Sequence, residues 1–216
     1  FCPQDTSVDI KNIDFKWHPG MAVSQKKKSI ASLHAEAQKE GINPILEIST
    51  KSDKKLGRDL SAFNLKILTS KRGNCFLESA YQGSKEFTQG GPYLDIYNLS
   101  AFEAKTDSRL TTSGEISSFV FDGDEWPLTP IRAFYSWLYI KALGQKNYIY
   151  DEIRKYSGFT DIEFNPKKSV NCQAYSAALY VSLVKEDLLE EVTKDKEHFI
   201  KFLVSLEQQE IQPSLF

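Results

Sequence analysis

Residues 77–87, with the sequence Leu-Glu-Ser-Ala-Tyr-Gln-Gly-Ser-Lys-Glu-Phe, form the most informative stretch of the chain. Their pattern predicts a helix over residues 76–87. At about 100° per residue, Glu78, Gln82 and Lys85 would share one face of that helix. A carboxylate and an amine on one face could converge on a ligand that lies along the helix. An ordinary amphipathic helix with a solvated polar face is the alternative.

The sequence on either side of this stretch predicts more helix than strand. Apolar residues at helical spacing indicate helices, and alternating apolar residues indicate short extended segments. Helices are expected over Ser24–Glu40, Tyr93–Ala104, Pro130–Leu143 with Thr129 as its cap, Asn147–Tyr156, Asn171–Lys185 and Lys194–Gln208. Extended segments are expected over residues 7–17, Pro44–Ser49, Ser118–Phe121 and Asp161–Phe164, and Leu60–Leu68 is expected to be irregular or extended. No βαβ series and no glycine-rich nucleotide loop occurs. The expected fold class is therefore α+β, helix-dominated, with a small β component.

Length and composition bound the class of protein. The chain has 216 residues, of which 41% are hydrophobic and 26% charged, values that predict one folded domain over residues 1–216 and exclude a disordered or fibrous chain. The most apolar stretch, Ile131–Leu143, carries Arg132 and Lys141 and is shorter than the roughly 18 residues of a membrane helix. No signal peptide is visible. We expect no association with a membrane.

The positions of the cysteines and histidines and the distribution of charge say less about function than the motif at residues 77–87. The cysteines and histidines are widely spaced and form neither a disulfide framework nor a zinc-ligand pattern: they are Cys2, Cys75, Cys172, His18, His34 and His198. We therefore expect a reducing, cytoplasmic environment and no metal. Basic side chains outnumber acidic ones in residues 1–85, and the reverse holds in residues 86–216. This distribution permits a polyanionic partner without requiring one.

Residues 161–165 form a second segment whose side chains could bind a ligand. A period of two places Asp161, Glu163 and Asn165 on one side of an extended chain. Acceptors on one side suit the hydroxyl groups of a sugar. A solvated edge strand is the alternative.

A third segment surrounds Gly57. The cations Lys54, Lys55 and Arg58 could bind phosphate groups there, and a solvated charged loop is the alternative. Trp126 lies among acidic residues and could stack on a base, although a tryptophan in the core is more common.

These segments, in this order along the chain, resemble the NADAR family. Leu60-Ser61-Ala62-Phe63-Asn64 is similar to that family's Leu-Ser-Asn-Phe element, and residues 77–87 are similar to its Val-Glu-His-X-Tyr-Gln-X-X-Lys-Phe helix. Asp161 lies where the family has an Asp followed by Trp-Gly. Two departures are Ser79, which stands in place of the usual His, and the missing Trp-Gly.

Further segments are closest to the NADAR branch encoded beside DarT-type guanine ADP-ribosyltransferase toxins. They are residues 126–130, 134–139 and 161–173. The resemblance covers most of residues 45–190 and leaves residues 1–44 as an N-terminal extension of uncertain alignment. It implies the NADAR (YbiA-like) fold.

The resemblance also implies a function. It implies an N-glycosidase that removes ADP-ribose from guanine bases in DNA and acts as the antitoxin to a DNA ADP-ribosyltransferase. The implied partners are ADP-ribosylated DNA as substrate, ADP-ribose as product and the cognate toxin, with no cofactor. A non-catalytic antitoxin that binds its toxin, and an N-glycosidase acting on a small phosphorylated metabolite, are the alternatives.

The roles implied for individual residues follow the same resemblance. Lys85 would be the nucleophile or Schiff-base former, which requires a neutral amine and hence a pKa below the ordinary value of about 10.4. Glu78 would stabilise the developing cation or transfer protons. The implied ligand-binding residues are Asp161, Glu163, Asn165, Gln82, Tyr81, Lys54, Lys55, Arg58, Asn64 and Trp126.

Overall fold

A computed structural model describes residues 1–146, 148–165 and 171–211 of the chain, with side chains as far as residue 208. The helices are α1 (Val23–Lys39), α2 (Lys55–Asp59), α3 (Leu77–Gly83), a 3-10 helix (Leu94–Asn98), α4 (Ala101–Thr106), α5 (Arg109–Thr112), α6 (Ala133–Gly144), α7 (Ile149–Ile153), α8 (Gln173–Lys185), α9 (Leu189–Val192) and α10 (Lys196–Ile211). The strands are β1 (Cys2–Gln4), β2 (Ser7–Asp9), β3 (Ile45–Glu47), β4 (Lys66–Thr69), β5 (Gly73–Phe76), β6 (Lys85–Phe87), β7 (Ile116–Phe121), β8 (Asp124–Trp126) and β9 (Gly158–Thr160). The predicted α+β class with helices in the majority is confirmed.

The described strands form small sheets around buried helices. β1 pairs with β2, β4 with β5, and β6, β7 and β8 form a three-stranded antiparallel sheet. β3 and β9 pair in parallel, with Glu47 opposite Thr160. Helices α6 and α8 are buried along most of their length because they are apolar on nearly every face.

One cluster of buried hydrophobic residues extends from Val8 to Leu206 and includes side chains of α3, α6 and α8. We propose on this ground that the chain is one domain. The YbiA-like fold that the resemblance implies stays a prediction. Within the described ranges, every helix is too short or too polar to span a bilayer.

Several predicted elements differ from the structure. The predicted strand over residues 7–17 reaches only Asp9, and α7 is shorter than predicted, with the expected start at Asn147 outside the described residues. The predicted helix Tyr93–Ala104 is divided in two. Ser100 and Glu103 form a capping box that begins α4 as a separate helix.

Two predictions about local backbone structure are wrong. Thr129 does not cap α6, which begins at Ala133 with Arg132 as its N-cap. A turn closed by a 2.9 Å hydrogen bond from the Ala133 amide to the Pro130 carbonyl precedes the helix instead. Residues 161–165 form a turn and irregular chain rather than a strand, because pairing with β3 ends at Thr160.

Gly57 allows α2 to pack directly on β3. A Cβ atom at this position would lie 2.0 Å from the Glu47 carbonyl oxygen and 2.4 Å from Ser52 Oγ. Neither the backbone carbonyl nor the buried Ser52 can move freely. The glycine between the cations of this segment is therefore explained by close packing.

Gly57→Ala is expected to lower the free energy of unfolding by about 2 kcal/mol or more, because overpacking against backbone displaces α2 or β3. Gly144→Ala is the matched control. The described residues leave the space around a Cβ at Gly144 open, and alanine favours the helical conformation there. Urea unfolding of both variants measures the difference, and equal midpoints would contradict the packing argument.

Candidate active site

The polar face of α3 points into the protein. Glu78 and Gln82 are each only 6% exposed. Gln82 Nε2 donates a hydrogen bond to Glu78 Oε1 at 2.9 Å, and Gln82 Oε1 is buried without a hydrogen-bond partner among the described residues. Burying a carboxylate and an unsatisfied amide oxygen costs stability. The alternative of a solvated amphipathic helix is therefore wrong.

Lys85 reaches this region from a strand and not from the helix. Helix α3 ends at Gly83, where a Cβ would lie 2.6 Å from the Tyr97 ring, and Ser84 Oγ shares a 2.6 Å hydrogen bond with the Tyr97 hydroxyl. These contacts turn the chain into β6, which begins at Lys85. The predicted seven-residue helical spacing to Lys85 is therefore wrong. The Lys85 amine nevertheless lies over the ring of Tyr81, 4.9 Å from its centroid.

The surroundings of Lys85 favour the neutral amine. Burial lowers the pKa of Lys85 to about 8, the negative charge of Glu78 opposes that shift, and the positive charge of Lys105 adds to it. At pH 7 a group with this pKa is neutral in about one molecule in ten, against fewer than about one in a thousand for an ordinary lysine. A nucleophilic amine is therefore available near neutral pH.

Lys105 is a second cation of the site, and sequence reasoning missed it. Its Nζ lies 4.0 Å from Glu78 Oε1 and 5.1 Å from the centroid of the Phe63 ring. Its side chain is 57% exposed, so Lys105 lies at the solvent side of the buried carboxylate. No spacing rule connects position 105 with positions 78 and 85. Only the packing of α4 on α3 brings them together.

Lys105→Gln is expected to raise the pKa of Lys85, because it removes a like charge and leaves Glu78 to act on Lys85 alone. The pH dependence of Lys85 acetylation by limiting acetic anhydride, read by peptide mass spectrometry, should move upward by up to about one pH unit. Lys39→Gln, which changes an exposed lysine of α1, is the control. Superimposable curves for wild type and Lys105→Gln would refute the coupling.

An aromatic wall supports the amine of Lys85. The Tyr81 ring lies 5.2 Å from that of Tyr135 and 5.5 Å from that of Phe119. Asn171 Nδ2 donates a 2.7 Å hydrogen bond to the Tyr81 hydroxyl. Burial raises the pKa of Tyr81, so its phenol stays protonated. Tyr81 is therefore a fixed, neutral surface beneath the amine.

Asp161 lies on the same aromatic cluster as Glu78. The charges of both carboxylates act on Tyr135 and raise the pKa of its phenol, after burial, which is the larger cause. Burial and the nearby Glu47 carboxylate raise the pKa of Asp161 to about 7. Asp161 Oδ1 accepts a 3.0 Å hydrogen bond from the backbone amide of Glu163.

The turn separates Asp161 from the other two acceptors of its segment. Glu163 and Asn165 are exposed, and the Glu163 carboxylate lies 3.7 Å from the Lys26 amine. The predicted arrangement on one side of a strand is wrong because the chain is not extended here. Of the three acceptors, Asp161 is the one whose charge acts on Tyr135.

The predicted cations of α2 and its N-cap make local contacts. The Lys54 amine lies 4.5 Å from the centroid of the Tyr156 ring, and Lys55 forms an ion pair with Asp59. Arg58 donates hydrogen bonds of 2.7 and 2.8 Å to the carbonyl oxygens of two loop residues, Ser52 and Asp53. Arg58 therefore holds the loop, which leaves Lys54 and Lys55 as the exposed cations of the segment.

Asn64 and Trp126 have different environments. Asn64 Nδ2 donates a 2.8 Å hydrogen bond to the Arg58 carbonyl, and Asn64 lines a cavity of about 240 Å³ together with Lys55 and Lys146. Trp126 is 1% exposed and packs against other core aromatic rings. It has no exposed face on which a base could stack, so we leave it out of the proposed site.

The described residues contain no group of three or more His, Cys, Asp or Glu side chains placed to hold a metal ion. A partly neutral amine and a buried carboxylate lie beside an aromatic wall, and a second carboxyl group with a raised pKa lies on the same cluster.

Comparison with protein families identifies the family to which the chain is similar. The family model for DarT1-associated NADAR antitoxins matches residues 1–213. The chain belongs to this family. The resemblance predicted from the motifs is confirmed, and the family indicates an antitoxin role toward a DarT-type toxin. A comparison with curated proteins finds no match.

The family match bears on one feature that the motifs alone left open, and the structure bears on a second. It includes residues 1–44, which the NADAR motifs did not reach. At the position where the family motif has His, Ser79 Oγ donates a 2.9 Å hydrogen bond to the Leu99 carbonyl. In this NADAR chain the side chain at position 79 therefore connects α3 to the segment before α4.

Proposed function

We propose that the chain is an N-glycosidase that removes ADP-ribose from guanine bases in DNA, and that this repair in the cytoplasm is its antitoxin activity. The observation that carries the proposal is the half-buried Lys85 amine, with a pKa of about 8, held near the buried carboxylate of Glu78. Membership of a family of DarT1-associated antitoxins supports the choice of substrate.

The proposed reaction uses Lys85 as a nucleophile. Breaking the bond between ribose C1 and the guanine nitrogen gives the sugar oxocarbenium character, which the Glu78 carboxylate stabilises. The neutral amine forms a bond to C1 while the bonding electron pair leaves with guanine, which takes up a proton. Loss of a proton from the amine and opening of the ribose ring give a Schiff base. Water then releases ADP-ribose and returns the free amine.

We assign the proposed ligand-binding roles from the positions of the side chains. Gln82, through its unpaired Oε1, and Tyr81 line the reacting centre. Asp161 binds ribose hydroxyl groups, with Glu163 and Asn165 at the exposed rim. Lys54, Lys55 and Asn64 are proposed to bind the pyrophosphate, since Lys55 and Asn64 line one cavity and both lysines are exposed.

The test is removal of the adduct in the presence of EDTA. The purified protein is incubated with ADP-ribosylated DNA, and mass spectrometry follows the modified guanine and free ADP-ribose. We expect unmodified guanine and stoichiometric ADP-ribose. An adduct that persists at high enzyme excess would refute the proposal.

Two further measurements identify the alternative that holds if it fails. Comigration with purified toxin on a sizing column would then identify an antitoxin that acts by binding. Thermal stabilisation by a phosphorylated glycoside but not by ADP-ribose would identify a metabolite glycosidase.

A further inference from the structure

Glu47 is a buried carboxylate that the proposed mechanism does not use. It ends β3 and is only 2% exposed. Its Oε2 accepts a 2.6 Å hydrogen bond from Thr160 Oγ1, and its Oε1 accepts a 2.8 Å hydrogen bond from the backbone amide of Ile162. The two donors are the chain neighbours of Asp161 on either side. One carboxylate therefore holds the Asp161 turn from both sides, through the Thr160 side chain and the Ile162 backbone amide.

The surrounding structure fixes Glu47 in this role. The parallel register of β3 and β9 places it opposite Thr160, and Gly57 packs against its carbonyl oxygen. His34 Nε2 lies 2.8 Å from Thr160 Oγ1, and burial lowers the pKa of His34 to about 4. Because the Thr160 hydroxyl gives its proton to Glu47, it must accept from a neutral His34 protonated at Nε2, a tautomer inferred from the network.

We propose that Glu47 is a positioning residue of the active site, which holds the Asp161 side chain in place through both of its chain neighbours. This inference rests on the proposed glycosidase function. Sequence reasoning missed it, although a carboxylate inside the apolar strand Ile-Leu-Glu-Ile is itself unusual.

The charge of Glu47 also acts on the Asp161 carboxyl group. The groups that act on Asp161 are Glu47 from β3, Glu163 and the Glu163 amide in its own turn, and Gln173 at the start of α8. Three further neutral groups, Tyr135 and Tyr139 of α6 and Cys172, face it as well. Glu47 is the nearby carboxylate with the largest effect, and it raises the pKa of Asp161. Removing its charge must therefore lower that pKa.

The first test is a carboxyl-carbon NMR titration of the whole protein, with the Asp161 signal identified by its loss in Asp161→Asn. We expect a midpoint of about 7 in wild type. Glu47→Gln keeps an acceptor for the Ile162 amide but removes the charge, and the midpoint should fall by about one pH unit or more. Glu152→Gln, an exposed change in α7, should leave it in place. A wild-type midpoint near the ordinary value of about 4 would overturn the inference without any variant.

The second test separates positioning from the proposed function. In Glu47→Gln the pH dependence of kcat/KM for adduct removal should shift to lower pH with the Asp161 midpoint. Glu47→Ala removes both acceptors, so the Ile162 amide should exchange with solvent at least tenfold faster than in Glu47→Gln. Glu47 variants that match wild type in titration, exchange and pH profile overturn the inference. Failure of the wild-type protein to remove the adduct refutes the glycosidase proposal, and the titration still decides whether Glu47 holds Asp161.

Discussion

Lys85→Arg is expected to bind ADP-ribose as wild type does and to lose turnover completely. Guanidinium keeps the positive charge of the side chain but stays protonated, so it cannot attack ribose C1. In wild type, borohydride added during turnover should reduce the Schiff base and leave ADP-ribose covalently attached to Lys85. Peptide mass spectrometry locates that adduct, and calorimetry measures the binding of ADP-ribose to the variant.

The same substitution at an exposed site provides the control. Lys39→Arg changes a lysine that pairs with Glu36 on the surface of α1. This variant should remove the adduct at the wild-type rate and give the same borohydride-trapped product on Lys85. Normal turnover by Lys85→Arg would show that Lys85 is not the nucleophile. The mechanism would then reduce to attack by water directed by Glu78.

Glu78→Gln is expected to slow the chemical step about a hundredfold or more, the typical loss when one preorganised electrostatic partner is removed. Glutamine keeps the size of the side chain and an acceptor for Gln82. Since the charge of Glu78 raises the pKa of Lys85, the variant should have a lower Lys85 pKa and more neutral amine at pH 7. The rate loss would therefore come from the missing carboxylate and not from protonation of the nucleophile.

Single-turnover kinetics at saturating enzyme measure this step without product release. Glu152→Gln is the control, because that carboxylate lies on the exposed surface of α7 and pairs with Lys155. The acetylation assay on Lys85 confirms the direction of its pKa shift in Glu78→Gln. If both Lys85→Arg and Glu78→Gln were fully active, the site on α3 and β6 would not be the catalytic site.

The sequence by itself determined the elements whose apolar residues follow a regular period. Helices α1 and α8 and strand β3 occur where local pattern predicts them, with no end shifted by more than two residues. It also named Glu78, Gln82 and Lys85 as one candidate set, from their order in a motif of the family to which the chain belongs, and their joint role stays a proposal. These features depend on neighbours within a few turns of the chain, and such neighbours can be read from periodicity.

Only the tertiary structure decided how these residues work together. Contact with Tyr97 ends α3 before Lys85, and burial lowers the pKa of that amine. Glu47 meets Thr160 across 113 positions of sequence, and Lys105 reaches Glu78 because α4 packs on α3. A side chain's charge state depends on how much water and which charges surround it after packing. The sequence names the residues, whereas long-range contacts set their positions and protonation.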